Sequence, residues 1–231
     1  MATATHELPA PESSSTTPSR SSFLLRRLHS LSGIIPLGAF LIEHFASNAA
    51  VLSRHPAHAY GAQVKFLNSL PFVLALEIAF IYIPLLFHGL YGLWIASEST
   101  PNARRMPLLG NWAYVWQRIS GVIVLAFILW HTWTARFSGI SVPDHPELAF
   151  AKMQAQMAHG WILAWFLIGI TFVCYHFAYG LFLFAAKWGI TVTARARQRW
   201  GWACLIFGVF LAYAGIASAL AFRGILIYPV R

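Results

Sequence analysis

The chain has 231 residues, 58% of them hydrophobic and only 10% charged, whereas an ordinary soluble domain carries about 25% charged residues; with a mean hydropathy of +0.61, a soluble globular fold is excluded. Sixteen Lys and Arg against seven Asp and Glu give a formal charge of +9, which in so apolar a chain reads as basic loops beside an anionic membrane face, with the lipid bilayer and no nucleic acid as partner. Cys174 and Cys204 both sit in apolar runs without a CxxC or CxxCH, so disulfide, zinc-finger and covalent c-type haem frameworks are excluded, and both read as small buried apolar residues.

Residues 1–22 are rich in Ser, Thr, Pro and Ala, carry Glu7 and Glu12 and lack an apolar core. They fail the pattern of a cleavable signal and read as a disordered tail before a single membrane domain, 23–231. Five apolar segments follow, at about 28–52, 70–97, 112–136, 158–186 and 200–222, each at or above the ~20 residues that cross ~30 Å of hydrocarbon as helix. The expected fold is an all-α integral membrane bundle of five transmembrane helices, which places the chain ends on opposite sides. Arg20, Arg26, Arg27, Arg104, Arg105, Arg118, Lys187, Arg195, Arg197 and Arg199 flank the segments on the N-terminal side, against Arg54, Lys65, Arg136, Lys152, Arg223 and Arg231 on the other. Basic residues stay cytoplasmic, so the N-terminus is expected inside the cytoplasmic (inner) membrane and the C-terminus outside.

A weak internal repeat links the segments. Ser32-Gly33-Ile34-Ile35 precedes His44, and Ser120-Gly121-Val122-Ile123 precedes His131. Phe87-His88-Gly89-Leu90-Tyr91-Gly92 matches Tyr175-His176-Phe177-Ala178-Tyr179-Gly180, so His44 and His131 are offset by 87 residues and His88 and His176 by 88. Segments one and two read as duplicated in three and four, with segment five added.

Four histidines inside four membrane segments need partners or a function. Counted as helix from Arg27 and Arg118, His44 and His131 lie ~26 and ~20 Å from the inner boundary; counted from Glu98 and Lys187, His88 and His176 lie ~15 and ~16 Å from it. Depth therefore sorts them into an outer pair, His44 with His131, and an inner pair, His88 with His176. Two neutral imidazoles facing each other across a bundle core are the ligand set of a six-coordinate, low-spin haem b, an electron carrier with no axial site left for oxygen. Two pairs imply two haems b stacked across the membrane, with the four histidines on the haem irons. Gly89, Gly92 and Gly180 are small enough to let a flat macrocycle approach, although helix packing explains them equally well. A single zinc site would need all four histidines at one point, against the two depths. The bc-type alternative takes both ligands from one helix at His-x13-His spacing, which occurs at His44–His58 and His131–His145. Arg54 and Pro56 interrupt the first span and Arg136, Pro143 and Asp144 the second, so neither is one membrane helix. His55, His58, His145 and His159 read as outer-loop or interfacial residues.

The chain resembles the cytochrome b membrane anchor subunit of succinate dehydrogenase and fumarate reductase (complex II), in its five-helix, di-haem form. The matching stretches include Arg26-Arg27-Leu28-His29-Ser30-Leu31, Gly33-Ile34-Ile35-Pro36, Ser69-Leu70-Pro71-Phe72, Ala75-Leu76-Glu77-Ile78, Pro84-Leu85 with His88 and Tyr91-Gly92, Gln117-Arg118-Ile119-Ser120-Gly121, Trp130-His131 and Trp188-Gly189-Ile190-Thr191-Val192-Thr193. They span about residues 23–222. The resemblance implies that His44 and His131 hold a distal, lower-potential haem near the outer face, and His88 and His176 a proximal, higher-potential haem near the cytoplasm. It also implies a flavoprotein subunit that handles succinate or fumarate, an iron–sulfur subunit on the cytoplasmic face, and electron relay to a membrane quinone, commonly menaquinone; no residue of this chain is expected to touch succinate.

Within that frame, Lys187, Arg26, Arg27, His29, Ser30 and Ser32 gather at the inner ends of segments four and one and are candidates for contacts to the proximal haem propionates. Glu43 and Glu77 are the only carboxylates within membrane segments and are candidates for proton exchange with quinone, against plain roles beside His44 or between helices. Asn48, Lys65, Asn68, Trp133 and Arg136 are candidates for an outer quinone site, although Trp near a segment end is also an ordinary interfacial anchor. Two rival functions stay open: the haem b subunit of another quinone-linked respiratory dehydrogenase, and a haem-free transporter or scaffold whose histidines relay protons or pack helices.

Overall fold

The computed structural model describes residues 20–99 and 109–225. Most of the expected tail, with Glu7 and Glu12, and Arg104, Arg105 and Arg231 of the charge count lie outside them. Among the described residues there is no strand, and five helical stretches are long and apolar enough to cross a bilayer: Ser22–Leu52, Val73–Ser97, Gly110–Phe137, Gly160–Lys187 and Ala194–Phe222.

In chain order, α1 (Arg20–Ile34) starts well ahead of the expected 28, because Arg26 and Arg27 interrupt the apolar pattern without interrupting the helix. Pro36 has no N–H for the Ser32 carbonyl, so the helix breaks at Ile35 and resumes as α2 (Pro36–Asn48), with Pro36 in the first turn where its missing donor costs nothing. A 3-10 turn, Ala49–Leu52, ends the first span. The stretch expected as a loop then forms α3 (Pro56–Asn68), again opened by a proline. The second span is α4 (Val73–Glu77), a π turn at Ile78–Tyr82 and α5 (Ile83–Ser97). The ring of Pro84 cannot sit against the carbonyl of Phe80 in a regular helix, and the π turn widens the backbone there. The third span is α6 (Leu109–Thr132), closed by a π turn at Trp133–Phe137. Its amphipathic follower α7 (Ala149–Ala158) breaks at the extended His159 before α8 (Gly160–Lys187). Local chemistry sets the turn into α9 (Ala194–Phe222). Gly189 adopts φ +72° and lets the Ile190 N–H donate to the Ala185 carbonyl at 2.9 Å, a left-handed helix stop. Four residues on, Thr193 accepts from the Ala196 N–H at 3.1 Å and starts the next helix.

The first four spans close a ring: α1 against α5 and α8, and α6 against α5 and α8. The fifth packs outside it, α9 lying on α8 and α2. With lipid as solvent there is little hydrophobic drive between helices, so close approach relies on small residues. A Cβ on Gly208 would stand 2.7 Å from that of Ala178, and one on Gly215 2.9 Å from the Phe45 ring; Ala217, Ser218, Ala219 and Ala221, in the last turns of α9, are buried as well. The second span has no buried residue and turns side chains such as Phe80 and Leu90 outward, 58% and 62% exposed, a surface suited to hydrocarbon. The two bundle ends differ. One carries Arg26, Arg27, Arg118 and Lys187 and is called the basic end; the other is covered by α3 and α7, which pack on each other, and is called the capped end.

Candidate functional site

One cavity of about 620 Å³ runs inside the ring from Arg26 and Lys187 at the basic end to Asn48, Met157 and Phe222 at the capped end. The four membrane histidines all line it. His88 and His176 face each other with ring centroids 6.3 Å apart and planes at 89°; His44 and His131 do so at 5.9 Å and 67°. A first-row metal binds an imidazole nitrogen at about 2 Å, and the ring centre lies about 1 Å beyond that nitrogen, so two imidazoles on opposite sides of one metal have centroids about 6 Å apart. Both pairs meet that spacing. Among the described residues no three His, Cys, Asp or Glu side chains gather as a metal cluster, so each pair stands as two facing imidazoles without a third protein ligand.

The duplication is visible in side-chain geometry. Ser32 and His88 are 56 residues apart, and so are Ser120 and His176; each serine Oγ faces its histidine's Nδ1, at 3.4 and 3.1 Å. Gly33 and Gly121, next to those serines, lie under the imidazoles: a Cβ at Gly33 would stand 2.4 Å from the Cε1 of His88, and one at Gly121 3.1 Å from that of His176. These two glycines make room for the imidazoles, while Gly89, Gly92 and Gly180 line the same cavity. Gly89 meets Leu125, Gly92 meets His29 and Gly180 meets Gln117. The Ser-Gly dipeptides of the repeat were the sequence signal for this. His44 lies twelve residues after Ser32 and His131 eleven after Ser120. One extra residue in a regular helix turns a side chain by about 100°; the first span is interrupted at Ile35–Pro36 between Ser32 and His44, and both histidines line the same cavity.

The two pairs are supported unequally. The Nδ1 of His88 lies 3.0 Å from the His29 carbonyl, and the His29 ring stacks on His88 at 4.1 Å. Gln117, at the repeat position of His29, donates to the His176 carbonyl at 3.1 Å. At the other pair, Asn48 donates to the His44 carbonyl at 2.7 Å and Thr134 to that of His131 at 3.1 Å, while the buried Nδ1 of His131 has no partner among the described residues. Stacking on Phe127 at 5.7 Å and an edge contact to Phe166 hold that ring instead.

At the basic end the cavity is lined by Arg26, His29, Ser30, Gln117, Arg118 and Lys187. Arg26 pairs with the exposed Glu98 at 3.0 Å, and Arg118 donates to the Tyr114 carbonyl at 3.1 Å, with its Nε buried and without a partner among the described residues. Three cations thus face one carboxylate, an excess suited to an anionic occupant. Arg27 points away, over the rings of Phe23 and Trp188. Ser32 is occupied by His88 and the His29 carbonyl. Arg118, a flanking charge in the sequence, holds the repeat position of Ser30, and that position is the signal that marks it.

At the capped end Arg136 and Glu77, 59 residues apart, form an ion pair at 2.6 Å on the cavity wall, with Tyr82 beside them. Glu43 accepts from Ser47 on its own helix. Of the outer polar candidates, Asn48 and Arg136 line the cavity. Lys65 and Trp133 are exposed, and Asn68 ties α3 to the Val142 carbonyl at 3.3 Å. His55, His58, His145 and His159 are all exposed at this end. Lys152 is buried and donates to the carbonyls of Ala135, Ser138 and Ile140 at 2.9, 2.7 and 2.8 Å; burial pushes its ammonium below the usual lysine range.

Residues 96–215 match the family described as succinate dehydrogenase/fumarate reductase transmembrane subunit. The chain is also 38% identical over 200 residues to the succinate dehydrogenase cytochrome b558 subunit of Bacillus subtilis (strain 168), an alignment that covers 87% of this chain and 96% of that relative. With five apolar spans, four of them ringed around a histidine-lined cavity, the chain belongs to the family of transmembrane subunits of succinate dehydrogenase and fumarate reductase.

Proposed function

We propose that this chain is a di-haem cytochrome b that anchors a flavoprotein and an iron–sulfur subunit to the membrane and relays electrons between the iron–sulfur subunit and a membrane quinone, menaquinone being the expected one. The observation that carries the reading is the two facing histidine pairs, at 6.3 and 5.9 Å, set one above the other along a single cavity. The relative's name, a cytochrome b558 subunit of succinate dehydrogenase, supports it.

The residues present fit haem b. His88 with His176 and His44 with His131 would be the axial ligands; Gly33 and Gly121 leave room beneath two of the rings, and the cation excess at the basic end suits propionates. When bound, such a haem supplies one-electron transfer with both axial positions filled. The protein's own part is to hold the imidazoles, exclude water with Phe127, Phe166 and Phe177, and neutralise the anionic edge with Arg26, Arg118 and Lys187, with Ser30 and His29 beside them. Glu77 with Arg136 and Tyr82 is the place on the cavity wall where a quinone's proton exchange is best supported, because a carboxylate and a phenol meet there within the membrane span. Glu43 lies off the cavity lining and suits that role less. The N-terminus and the basic end face the cytoplasm, where the iron–sulfur subunit docks.

The test is a dithionite-reduced minus air-oxidised optical spectrum, with haem measured per polypeptide, for wild type, His88→Ala and His131→Ala. Two haems b in wild type, and the loss of a different spectral component in each variant, are expected. A folded protein without a Soret band would overturn the reading and leave a transporter or scaffold.

A further inference from the structure

We infer that Ser120 and Ser32 are positioning residues for the basic-end histidine pair, fixing the proton of each imidazole on Nδ1 so that both Nε2 lone pairs turn to the space between the rings, and that His176 depends on its serine more than His88 does. The inference rests on the haem reading above.

Proton accounting carries it. A serine hydroxyl has one proton. That of Ser120 goes to the Gln117 carbonyl at 3.0 Å, so toward the His176 Nδ1 at 3.1 Å its oxygen can only accept. Ser32 likewise donates to the His29 carbonyl at 3.0 Å and accepts at 3.4 Å from His88. Both Nδ1 atoms therefore carry hydrogen, which leaves Nε2 as the ligating atom in each ring. Ser120 is fully buried and Ser32 8% exposed, so water does not stand ready to replace either hydroxyl. The supports are unequal, however: His88 also has the His29 carbonyl at 3.0 Å, whereas Ser120 is the one side-chain or backbone acceptor recorded for His176 Nδ1 among the described residues. At the other pair the His131 Nδ1 has no partner among the described residues, so that ring lacks the device. A hydrogen bond accepted from Nδ1–H makes the imidazole a stronger electron donor and favours the oxidised metal.

The experiment is a redox titration, with low-temperature EPR, of the intact complex carrying wild type, Ser120→Ala, Ser120→Thr and Ser32→Ala. Ser120→Ala should raise the midpoint potential of the component that His88→Ala abolishes and change its EPR signal, leaving the component that His131→Ala abolishes in place. Ser32→Ala should act in the same direction but less, and Ser120→Thr, which keeps the hydroxyl, should return the potential toward wild type. If Ser120→Ala fails to assemble, Ser120→Cys, close in volume and a far weaker acceptor, carries the same comparison. An unchanged potential, an equal shift of both components, or a larger effect from Ser32→Ala would overturn the inference. A wild-type complex with fewer than two haems would overturn the parent reading instead, which keeps the two failures apart.

Discussion

The Glu77–Arg136 pair joins the second and third spans with 21% and 23% of the side chains exposed. Exposed ion pairs contribute about 0–1 kcal/mol, whereas removing one partner of a fully buried pair costs about 3–5 kcal/mol, because a charge is left alone in a poor solvent. Arg136→Gln should fall between these limits. The double variant with Glu77→Gln should recover part of the loss, since no charge is then stranded. A thermal-unfolding double-mutant cycle in detergent measures the coupling, and strictly additive losses would show that the pair contributes nothing. Glu77 stands out in the sequence because a carboxylate within a membrane segment is costly. Its partner, 59 residues away, could not be read from spacing, since it depends on how two spans are rotated against each other.

The helix α7 shows what an element can do that its residues do not announce. Its stretch reads as loop in the sequence, yet it places Lys152, Met153, Gln156 and Met157 on one face. Lys152 gathers three carbonyls at the end of the third span, and Gln156 donates to that of Thr134 at 3.3 Å. Met153 and Met157 line the cavity. A π turn followed by irregular chain leaves carbonyls that no helical N–H reaches, and the ammonium supplies three donors at once. Lys152→Met should therefore destabilise the chain by about 3 kcal/mol or more, each stranded carbonyl costing about 1–3 kcal/mol with some offset from the removed charge. Limited proteolysis should cut first near residues 138–145, and a variant as resistant there as wild type would count against the clamp. Only a charge-count role was legible for Lys152, because a lysine's partners here are backbone atoms of another segment.

At the scale of the whole molecule, the ten-to-six division of basic residues sorts onto the two ends as the sequence suggests wherever the residues are described. Arg26, Arg27, Arg118 and Lys187 share one end, and Arg136, Lys152 and Arg223 the other, with Arg223 donating to the carbonyls of Met157 and Ala158. Cys174 and Cys204 are buried, so single cysteines at exposed positions can report orientation. In intact cells an impermeant maleimide should label Ser69→Cys at the capped end and leave Gln198→Cys at the basic end unlabelled until the membrane is opened. The reverse pattern would invert the proposed topology.

The sequence by itself determined the five apolar spans, their repeat and the sorting of four histidines into two depths, because hydropathy, helical rise and residue type are local quantities. It also held the stop and start at Gly189 and Thr193, which act within a few residues. Only the tertiary structure decided which glycines lie under the imidazoles, which serines face Nδ1, that Arg118 joins Lys187 on the cavity wall, and that Glu77 meets Arg136. Each of these depends on the rotation of one helix about its axis relative to another. One residue more or less turns a side chain by about 100°, yet His44 and His131, which stand at different distances from their serines in sequence, face each other in the cavity.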